Sequence, residues 1–301
     1  MSRSVTVRVP AKVNVRLAVG AARPDGFHDL ANVFLAVSLY DEVTASPADE
    51  LTVTCDGPDA DQVPLDRGNL AARAAELLAK RGGLTPSVHL HIAKRIPVAG
   101  GMAGGSADGA AALVACDALW GLDTPRAELL EICAELGSDV PFGLVGGAAL
   151  GTGRGEILTP VAAGTFHWVF AVADGGLSTP AVFREFDRLA AGRDIPTPEA
   201  SPALLEALAS GDPDALAATL ANDLQPAALS LRPGLADTLA AGTRAGALAA
   251  LVSGSGPTTA FLVRDAESAA MVAAALEASG TCRTTRVATS PAPGATALPE
   301  G

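Results

Sequence analysis

The spacing of apolar and polar residues divides the first half of the chain into strands and helices. Runs in which apolar and polar residues alternate predict strands, and longer runs in which apolar residues recur every three or four positions predict helices. Strands are predicted at residues 4–19, 32–46, 51–55 and 87–98, and helices at 69–83, 106–121 and 124–137. The first two strands are separated by the turn-rich segment GAARPDGFHDL, residues 20–30.

A second set of elements begins after about residue 160. It is predicted to contain strands at 166–174 and 282–290, helices at 179–192, through much of 201–245 and at 267–279, and a strand–glycine loop–strand unit at 247–265. This restart predicts an N-terminal domain at 1–160 and a C-terminal domain at 161–290. The last segment, PAPGATALPEG at 291–301, is predicted to be a flexible tail.

Composition limits the kinds of partner. Of 301 residues, 49% are hydrophobic and 18% are charged, which is enough apolar material for the cores of two domains. The net charge of −12 argues against nucleic acid as a partner, although a local group of donors could still bind a small phosphorylated ligand. No apolar run has the length of a membrane span, and the N-terminus lacks the apolar core of a signal peptide. We therefore expect a cytoplasmic protein without a membrane partner.

One segment concentrates glycine where a helix is about to begin. Residues 97–111 read PVAGGMAGGSADGAA, with five glycines around the start of an alanine-rich helix. Backbone amides at a helix N-terminus lack partners within the helix and favour an anion, so this loop could hold a phosphate. It matches neither the P-loop nor the dinucleotide-binding pattern, because no lysine follows Gly105 and the glycine spacing differs. A tight strand–helix turn without a ligand remains the alternative at this point.

Two further clusters carry polar side chains in apolar surroundings. Lys12 and Asn14, in PAKVN, lie two residues apart on a predicted strand and so point to one face. Asp139, in GSDVPF, follows a predicted helix and suits a general base or an orienting group. Each has a simpler interpretation, an edge-strand lysine and an aspartate in a local turn. Together, amides, a cation and a carboxylate are the minimum set for moving a phosphoryl group to an alcohol.

The ordered motifs PAKVN, IPVAGGMAGGSAD and SGSGPT resemble those of the GHMP small-molecule kinases. The pieces RPDGFHDL, GSDVPF and GRGE narrow the resemblance to a branch that phosphorylates a cytidylylated methylerythritol in the non-mevalonate route to isoprenoid precursors. The resemblance implies an α/β (α+β) fold of two domains. These are an N-terminal ribosomal-protein-S5-like nucleotide domain and a C-terminal α/β sandwich domain, which meet at a cleft.

The resemblance also implies how the nucleotide is bound. ATP and Mg²⁺ are the expected cofactors, and Ser106 is the expected metal ligand. The residues expected to bind ATP are Asn69, Pro97, Gly100, Gly101, Met102, Ala103, Gly104, Gly105 and Ser106. Asn69 matches the family asparagine that touches the adenine. Lys12 and Asp139 match the catalytic lysine and aspartate, of which Asp139 would accept the hydroxyl proton.

The expected substrate is a small molecule that carries cytidine diphosphate. His28 would hydrogen-bond the cytosine, Phe27 and Phe183 would enclose its ring, and Asn14 would orient the polyol. The other residues expected to contact the substrate are Asp139, Gly254, Ser255 and Gly256. A monomer or a homodimer is expected. Asp223 in NDLQP also matches a family position, without an assigned role.

Three alternatives compete with this interpretation. Another GHMP kinase, for homoserine, mevalonate or a sugar, explains the glycine loop and Lys12 but not the PDGFH element with a second aromatic at Phe183. A non-catalytic nucleotide-binding protein would be expected to lack Lys12 or Asp139. A scaffold domain leaves the glycine cluster unexplained. Many family members have Leu-Gly at Met102-Ala103 and serine at Ala107, so we expect altered nucleotide affinity here without loss of the reaction.

Overall fold

A computed structural model describes residues 4–299 as two β-sheets covered by helices. The strands are β1 (Val5–Ala22), β2 (His28–Pro47), β3 (Thr52–Asp56), β4 (Val88–Ala93), β5 (Ala148–Thr152), β6 (Ile157–Pro160), β7 (Phe166–Val172), β8 (Ala221–Asn222), β9 (Ala249–Val252), β10 (Thr259–Val263), β11 (Thr284–Ser290) and β12 (Thr296–Ala297). The helices are α1 (Leu70–Arg81), α2 (Gly104–Trp120), α3 (Arg126–Leu136), α4 (Val140–Val145), α5 (Thr179–Ala190), α6 (Pro202–Ser210), α7 (Pro213–Ala217), α8 (Gln225–Leu231), α9 (Leu235–Arg244) and α10 (Ala266–Ser279).

The first sheet is built on two long antiparallel strands. β12, β1, β2, β4 and β3 follow one another across it, while β5 joins β2, β6 joins β5 and β8 joins β1. The turn between the first two strands is shorter than the predicted segment 20–30, because β1 continues to Ala22 and β2 begins at His28. Residues 23–27 alone form the turn, in which the Arg23 amide donates to the Phe27 carbonyl. His28 is thereby fixed by strand pairing with Ala22.

The middle of β1 is buried without the alternation that the sequence suggests. Residues 9–15 are all buried, including Lys12 and Asn14. Helix α2 packs against β1 and β2, and β11 of the second sheet also contacts β2. A strand in the interior of a covered sheet has little solvent on either side, so its polar residues must be satisfied within the protein.

The second sheet has the order β11, β7, β10, β9, and its three neighbouring pairs are antiparallel. It begins after residues 161–165, which follow the last strand of the hairpin β5–β6. Two short strands return from the second half of the chain to the first sheet, since β8 and β12 both pair with β1. A division at residue 160 therefore assigns every strand to the sheet it belongs to except β8 and β12, which follow residue 160 but belong to the first sheet.

The segment after residue 290 is not the flexible tail that its composition suggests. β12 pairs with β1 at Val7 and Arg8, and the Ala292 amide donates to the Ala36 carbonyl. Ala292 is buried, with 3% of its surface exposed. The order comes from backbone hydrogen bonds, which leave no trace in the side-chain pattern of a proline- and alanine-rich segment. Residues 300 and 301 of the expected tail lie outside the described chain.

Four short elements are absent from the sequence-based prediction. Strands β5, β6 and β8 and helix α4 are two to six residues long, too short to show a hydrophobic period. Helix α4 matters for the site, because Asp139 lies at its N-cap. None of the helices within residues 4–299 combines the length and the apolar character that crossing a bilayer requires.

Candidate active site

A cavity of about 700 Å³ opens where the glycine segment, β1, β2 and α5 meet, a size typical of small-molecule sites. Of the residues predicted to form the site, those that line the cavity are Lys12, Asn14, Phe27, His28, Gly100, Gly101, Ala103, Gly104, Gly105, Ser106, Asp139, Phe183, Gly254 and Ser255. Those that do not are Asn69, Pro97, Met102 and Gly256. The three sequence clusters, far apart along the chain, are thus brought to one cavity.

Lys12 and Asp139 face each other in this cavity. Lys12 Nζ lies 3.7 Å from Asp139 Oδ2, an ion-pair distance that is long for a direct hydrogen bond. The lysine side chain is 7% exposed and the aspartate side chain is 35% exposed. Burial lowers the pKa of Lys12 below its usual range, and the charge of Asp139 partly offsets this. The ammonium form of Lys12 therefore depends on anions in the cavity.

A chain of hydrogen bonds fixes the position of Lys12. Its Nζ donates to Asn14 Oδ1 at 2.6 Å, and Asn14 Nδ2 donates to Asn32 Oδ1 at 2.7 Å. Asn32 also lines the cavity, although the sequence analysis did not single it out. The sequence feature that could have identified Asn32 is its amide side chain at the start of the apolar run NVFLAV of β2. A polar group buried in such a run needs a hydrogen-bond partner. This chain orients the lysine toward Asp139 from the side of β1.

The glycines of the loop serve two different purposes. A Cβ at Gly100 would lie 2.8 Å from Thr258 Oγ1, and one at Gly101 would overlap the Ser253 carbonyl. Hydrogen bonds also join these segments, since Ser253 Oγ donates to the Gly101 carbonyl at 3.1 Å. Only Gly105 has open space where a Cβ would stand. Gly101 is thus required by packing against a second glycine loop, residues 253–256, and Gly100 by packing against Thr258 and Pro97, whereas Gly105 leaves room in the cavity.

The second glycine loop also lies against Lys12 and Asn14. A Cβ at Gly254 would lie 3.1 Å from Lys12 Nζ and 3.1 Å from Asn14 Oδ1, and the φ of Gly254 is 56°. Asn222 secures this loop, since its Nδ2 donates to the Gly254 carbonyl at 2.7 Å. Asp223, which had no assigned role, accepts a hydrogen bond from the Val19 amide at 3.0 Å and holds the end of β1. Its part is structural.

A buried charge cluster lies directly behind the glycine loop. A Cβ at Gly104 would be 2.9 Å from Lys94 Nζ. That amine donates to Asp41 Oδ2 and to Asp108 Oδ2, each at 2.6 Å, and the three side chains are at most 3% exposed. The Ile96 amide donates to Asp41 Oδ1 at 2.8 Å. The sequence analysis missed this cluster, which connects β2, the end of β4 and helix α2 beneath the first turn of that helix.

Asp108 should make the stability of the protein depend on pH. Burial and the neighbouring Asp41 raise its pKa to about 8 against the attraction of Lys94. Between about pH 4 and pH 8 the folded protein therefore keeps a proton on Asp108 that the unfolded chain has lost. Because the folded state binds the extra proton, the free energy of unfolding falls as the pH rises, until Asp108 ionises near pH 8. We expect the free energy of unfolding to fall between pH 6 and 8 by about 1.4 kcal/mol per pH unit at most.

Urea unfolding at several pH values tests this expectation against Asp108→Asn, which cannot titrate. The difference in unfolding free energy between the two proteins should change with pH up to about 8 and then level off. A constant difference across this range would show that Asp108 is ionised throughout.

Two alanines in the loop adopt the left-handed conformation that normally favours glycine. The φ angles are 51° at Ala99 and 60° at Ala103, the N-cap of α2. Ala103→Gly should relieve part of a backbone cost of about 1–2 kcal/mol, leaving a net gain of roughly 0.5–1 kcal/mol after the added flexibility of the unfolded chain. Ala107→Gly, inside the same helix, should instead destabilise by a similar amount. Equal destabilisation by both variants in urea unfolding would contradict the strain at Ala103.

Two of the predicted site residues outside the cavity lining, Asn69 and Met102, form hydrogen bonds within the protein. Asn69 Oδ1 accepts from the Ala71 amide at 2.8 Å as the N-cap of α1, and its Nδ2 donates to the Pro64 carbonyl at 2.7 Å. Both ends of the side chain that was expected to touch adenine are therefore engaged within the protein. Met102 is fully buried, and its carbonyl accepts from the Lys12 amide at 3.2 Å. This last bond ties the glycine loop to β1.

Aromatic and charged side chains line the opposite end of the cavity. The His28 ring centroid is 5.0 Å from that of Phe183, with a tilt of 32°. Phe27 is 48% exposed, and the Arg154 guanidinium lies 5.0 Å from its ring centroid. Arg154 and Asp187 also line the cavity, and neither was singled out from the sequence, although Arg154 lies in the quoted GRGE motif. This end suits a planar polar ring.

The fold and the site together define a class of enzyme. The profile of the GHMP kinases N terminal domain matches residues 69–147, and that of the GHMP kinases C terminal domain matches residues 204–282. The chain belongs to the GHMP kinase family and is a small-molecule kinase. The two-domain fold expected from the motifs is thereby confirmed.

Similar proteins narrow the family further. A 4-diphosphocytidyl-2-C-methyl-D-erythritol kinase of Streptomyces avermitilis is 77% identical over 296 residues, covering 98% of this chain and 100% of the relative. One from Thermobifida fusca is 62% identical, with 98% of each chain covered. The chain is thus a member of the family of kinases that carry this name, and the branch inferred from the sequence is confirmed.

Solved structures agree with these relatives. A crystal structure of 4-(cytidine 5'-diphospho)-2C-methyl-D-erythritol kinase superimposes with a TM-score of 0.77 at 33% identity, covering 95% of this chain and 99% of that one. A homoserine kinase from Cytophaga hutchinsonii gives a TM-score of 0.76 at 20% identity, covering 99% and 98% of the two chains. The second likeness concerns the fold alone.

Proposed function

We propose that this cavity transfers the γ-phosphoryl group of ATP to the 2-hydroxyl of 4-diphosphocytidyl-2-C-methyl-D-erythritol. The observation that carries the proposal is the pairing of Lys12 with Asp139, 3.7 Å apart, in the cavity that also contains the start of α2. The high identity to kinases of that substrate supports the choice of acceptor. ATP is the donor, as in other kinases of the family.

Asp139 is the proposed general base. Its carboxylate is partly exposed to the cavity, so a substrate hydroxyl can reach it, and Lys12 Nζ lies 3.7 Å from it. The hydroxyl oxygen attacks the γ-phosphorus, the hydroxyl proton passes to Asp139, and the bond from the γ-phosphorus to the β–γ bridging oxygen breaks to release ADP. Lys12 holds Asp139 and stabilises the negative charge on the transferring group.

The first turn of α2 is the proposed phosphate site. The amides of residues 104–106 precede the first hydrogen bond of the helix, which runs from the Ala107 amide to the Ala103 carbonyl. Such amides and the helix dipole favour a polyphosphate at this end. Gly105 leaves the approach open, and Lys94 Nζ lies below Gly104, where it bonds Asp41 and Asp108.

Mg²⁺ is expected with a triphosphate, and the residues of the cavity fit it. Within residues 4–299 no three acidic, histidine or cysteine side chains come together as a metal site, so no dedicated protein cage is present there. The cavity does offer the Ser106 hydroxyl near the first turn of α2. Mg²⁺ commonly takes one or two protein oxygens and completes its shell with phosphate and water. We propose Ser106 as its protein ligand; the bound ion neutralises phosphate charge during transfer.

The aromatic end is the proposed cytosine site. Phe183 and Phe27 present ring faces, and His28 presents ring nitrogens, within the same cavity as the catalytic pair. A pyrimidine stacked on an aromatic side chain gains roughly 1–3 kcal/mol per base. This end gives a reason to prefer a cytidylylated substrate over homoserine or a sugar, neither of which has a planar ring to stack.

Phe183→Ala tests the substrate assignment. Loss of the stacking face should weaken binding of the cytidylylated substrate by about 5- to 150-fold, the equivalent of roughly 1–3 kcal/mol, with ATP affinity unchanged. Isothermal titration of each ligand measures both affinities. Leu189→Ala is the matched control, because this partly exposed apolar side chain is on the same helix but does not line the cavity. Equal weakening of both ligands by Phe183→Ala would place Phe183 in the core and reject its role in cytosine binding.

A further inference from the structure

Helix α5 holds His28 through two side chains one turn apart. The Phe183 ring packs against the imidazole with a tilt of 32°, and Asp187 Oδ1 lies 2.8 Å from His28 Nε2. Positions four apart on a helix share a face, so both side chains approach the same ring. The His28 side chain is 5% exposed and the Asp187 side chain is 40% exposed. The ring is therefore confined in orientation, and its contact with Asp187 fixes which nitrogen points toward the carboxylate.

This contact determines the chemical character of the other ring nitrogen. An ionised carboxylate only accepts hydrogen bonds, so His28 Nε2 must carry the proton. In a neutral imidazole one nitrogen donates and the other accepts. With the proton on Nε2, Nδ1 of His28 is a hydrogen-bond acceptor.

The Nδ1 atom is open to the cavity. No residue of the described chain makes a hydrogen bond to it, and it is not among the fully buried side-chain polar atoms there that lack a partner. The solvent-accessible space at this ring is the cavity, since His28 is one of its lining residues. The His28 side chain thus offers a ligand one hydrogen-bond acceptor, Nδ1, and no donor.

We propose that Asp187 is a specificity-determining residue, which fixes the tautomer of His28 so that the site accepts cytosine and rejects uracil. The inference rests on the proposed function for the presence of a pyrimidine in this cavity. Cytosine presents an amine at C4, which donates to Nδ1, whereas uracil presents a carbonyl oxygen there, which would face another acceptor. Asp187 does not itself contact the base; it acts through His28.

The test compares two substrates that differ only in the base. With saturating ATP, kcat/KM is measured for the cytidine diphosphate substrate and for its uridine diphosphate counterpart, in wild type and in Asp187→Asn. Wild type should prefer cytidine by on the order of 10² or more, because the wrong base leaves buried polar groups unpaired. Asparagine can donate as well as accept, so it permits either tautomer. The preference should fall by about tenfold or more, mainly through KM, with KM for ATP unchanged.

Glu185→Gln is the matched control. It makes the same charge change on the same helix, but Glu185 bonds Arg188 and Ser230 and lies outside the cavity lining. It should leave the preference unchanged. A preference in Asp187→Asn within about twofold of wild type would overturn the proposal, as would an equal loss of preference in the control.

Nitrogen NMR of the imidazole reports the tautomer without any substrate. The chain has four histidines, so the signal of His28 can be assigned by comparison with a His28→Gln sample. Wild type at neutral pH should show His28 protonated on Nε2, and Asp187→Asn should show a mixture. Protonation on Nδ1 in wild type would overturn the tautomer assignment even if the enzyme prefers cytidine. If wild type phosphorylates neither substrate, the proposed function fails, and the assignment of cytosine to this position fails with it.

Discussion

Asp139→Asn is expected to lower kcat by on the order of 10²–10⁴, the usual contribution of a positioned general base, while ATP affinity stays within about twofold. The amide keeps the size of the carboxylate but cannot accept the hydroxyl proton. It also removes the charge that sustains the ammonium form of Lys12, whose pKa burial already lowers. Coupled detection of ADP release gives kcat, and titration with a non-hydrolysable ATP analogue gives the affinity.

A second carboxylate separates this effect from a general change in charge. Asp29 lies next to His28 in the chain but bonds Arg23 and does not line the cavity. Asp29→Asn should therefore retain nearly all activity. Turnover by Asp139→Asn within tenfold of wild type would reject Asp139 as the base and leave Lys12 as the main catalytic group.

Lys94→Met should produce the largest loss of stability. The substitution leaves Asp41 and Asp108 buried together without the cation that both now bond at 2.6 Å. Removing one partner from a buried ion pair typically costs about 3–5 kcal/mol, because the remaining charge has neither solvent nor counterion. Urea unfolding measures the loss. Since Gly104 lies against Lys94 Nζ, the first turn of α2 should also be affected, seen as weaker ATP binding by the folded variant.

Two further variants show whether the loss comes from unpaired charge. Lys80→Met replaces an exposed lysine of α1 and should change stability by no more than about 0.5 kcal/mol. In the double variant Lys94→Met with Asp108→Leu, one of the stranded carboxylates is gone, and Asp41 keeps its backbone donors. The double variant should be more stable than Lys94→Met alone. If it is less stable, the lost packing of the lysine stem, and not the buried charge, explains the effect.

The sequence was sufficient for the parts of the site that are local or that match a motif. Strand periodicity placed Lys12 and Asn14 on one face, and the glycine loop was expected before a helix that indeed begins at Gly104. Motif order brought Asp139 and the aromatic residues into the same hypothesis, and all of them line one cavity. Their chemical roles remain predictions that the variants above examine.

The parts that could not be predicted depend on contacts between distant segments. Lys94 reads as an ordinary strand-end lysine, because its partner Asp41 is 53 positions away. Asp187 is one of two acidic residues on α5, and nothing in the sequence distinguishes it until β2 is seen to place His28 beside it. Asn69 shows a different limit, since a motif match suggested a ligand contact and gave no sign that the side chain also caps a helix. A motif identifies a position without showing which of its neighbours the side chain bonds.

The glycine loop illustrates the same distinction. The sequence did not separate the roles of its glycines: Gly101 lies against the loop at 253–256, Gly100 against Thr258 and Pro97, and Gly104 against Lys94. Only Gly105 has open space in place of a side chain. The loop is therefore held from two sides by the protein, which preorganises the amides of α2 for an anion.

The most direct test of the account is the substrate range of the purified enzyme. ADP release is measured with ATP and Mg²⁺ against 4-diphosphocytidyl-2-C-methyl-D-erythritol, methylerythritol phosphate, homoserine, mevalonate and galactose. The account predicts turnover of the cytidylylated compound alone, because only it reaches both the Lys12–Asp139 pair and the aromatic end of the cavity. Turnover of another alcohol at a comparable rate would contradict the cytosine site, and no turnover of any compound by a protein that still binds ATP would contradict the proposed reaction.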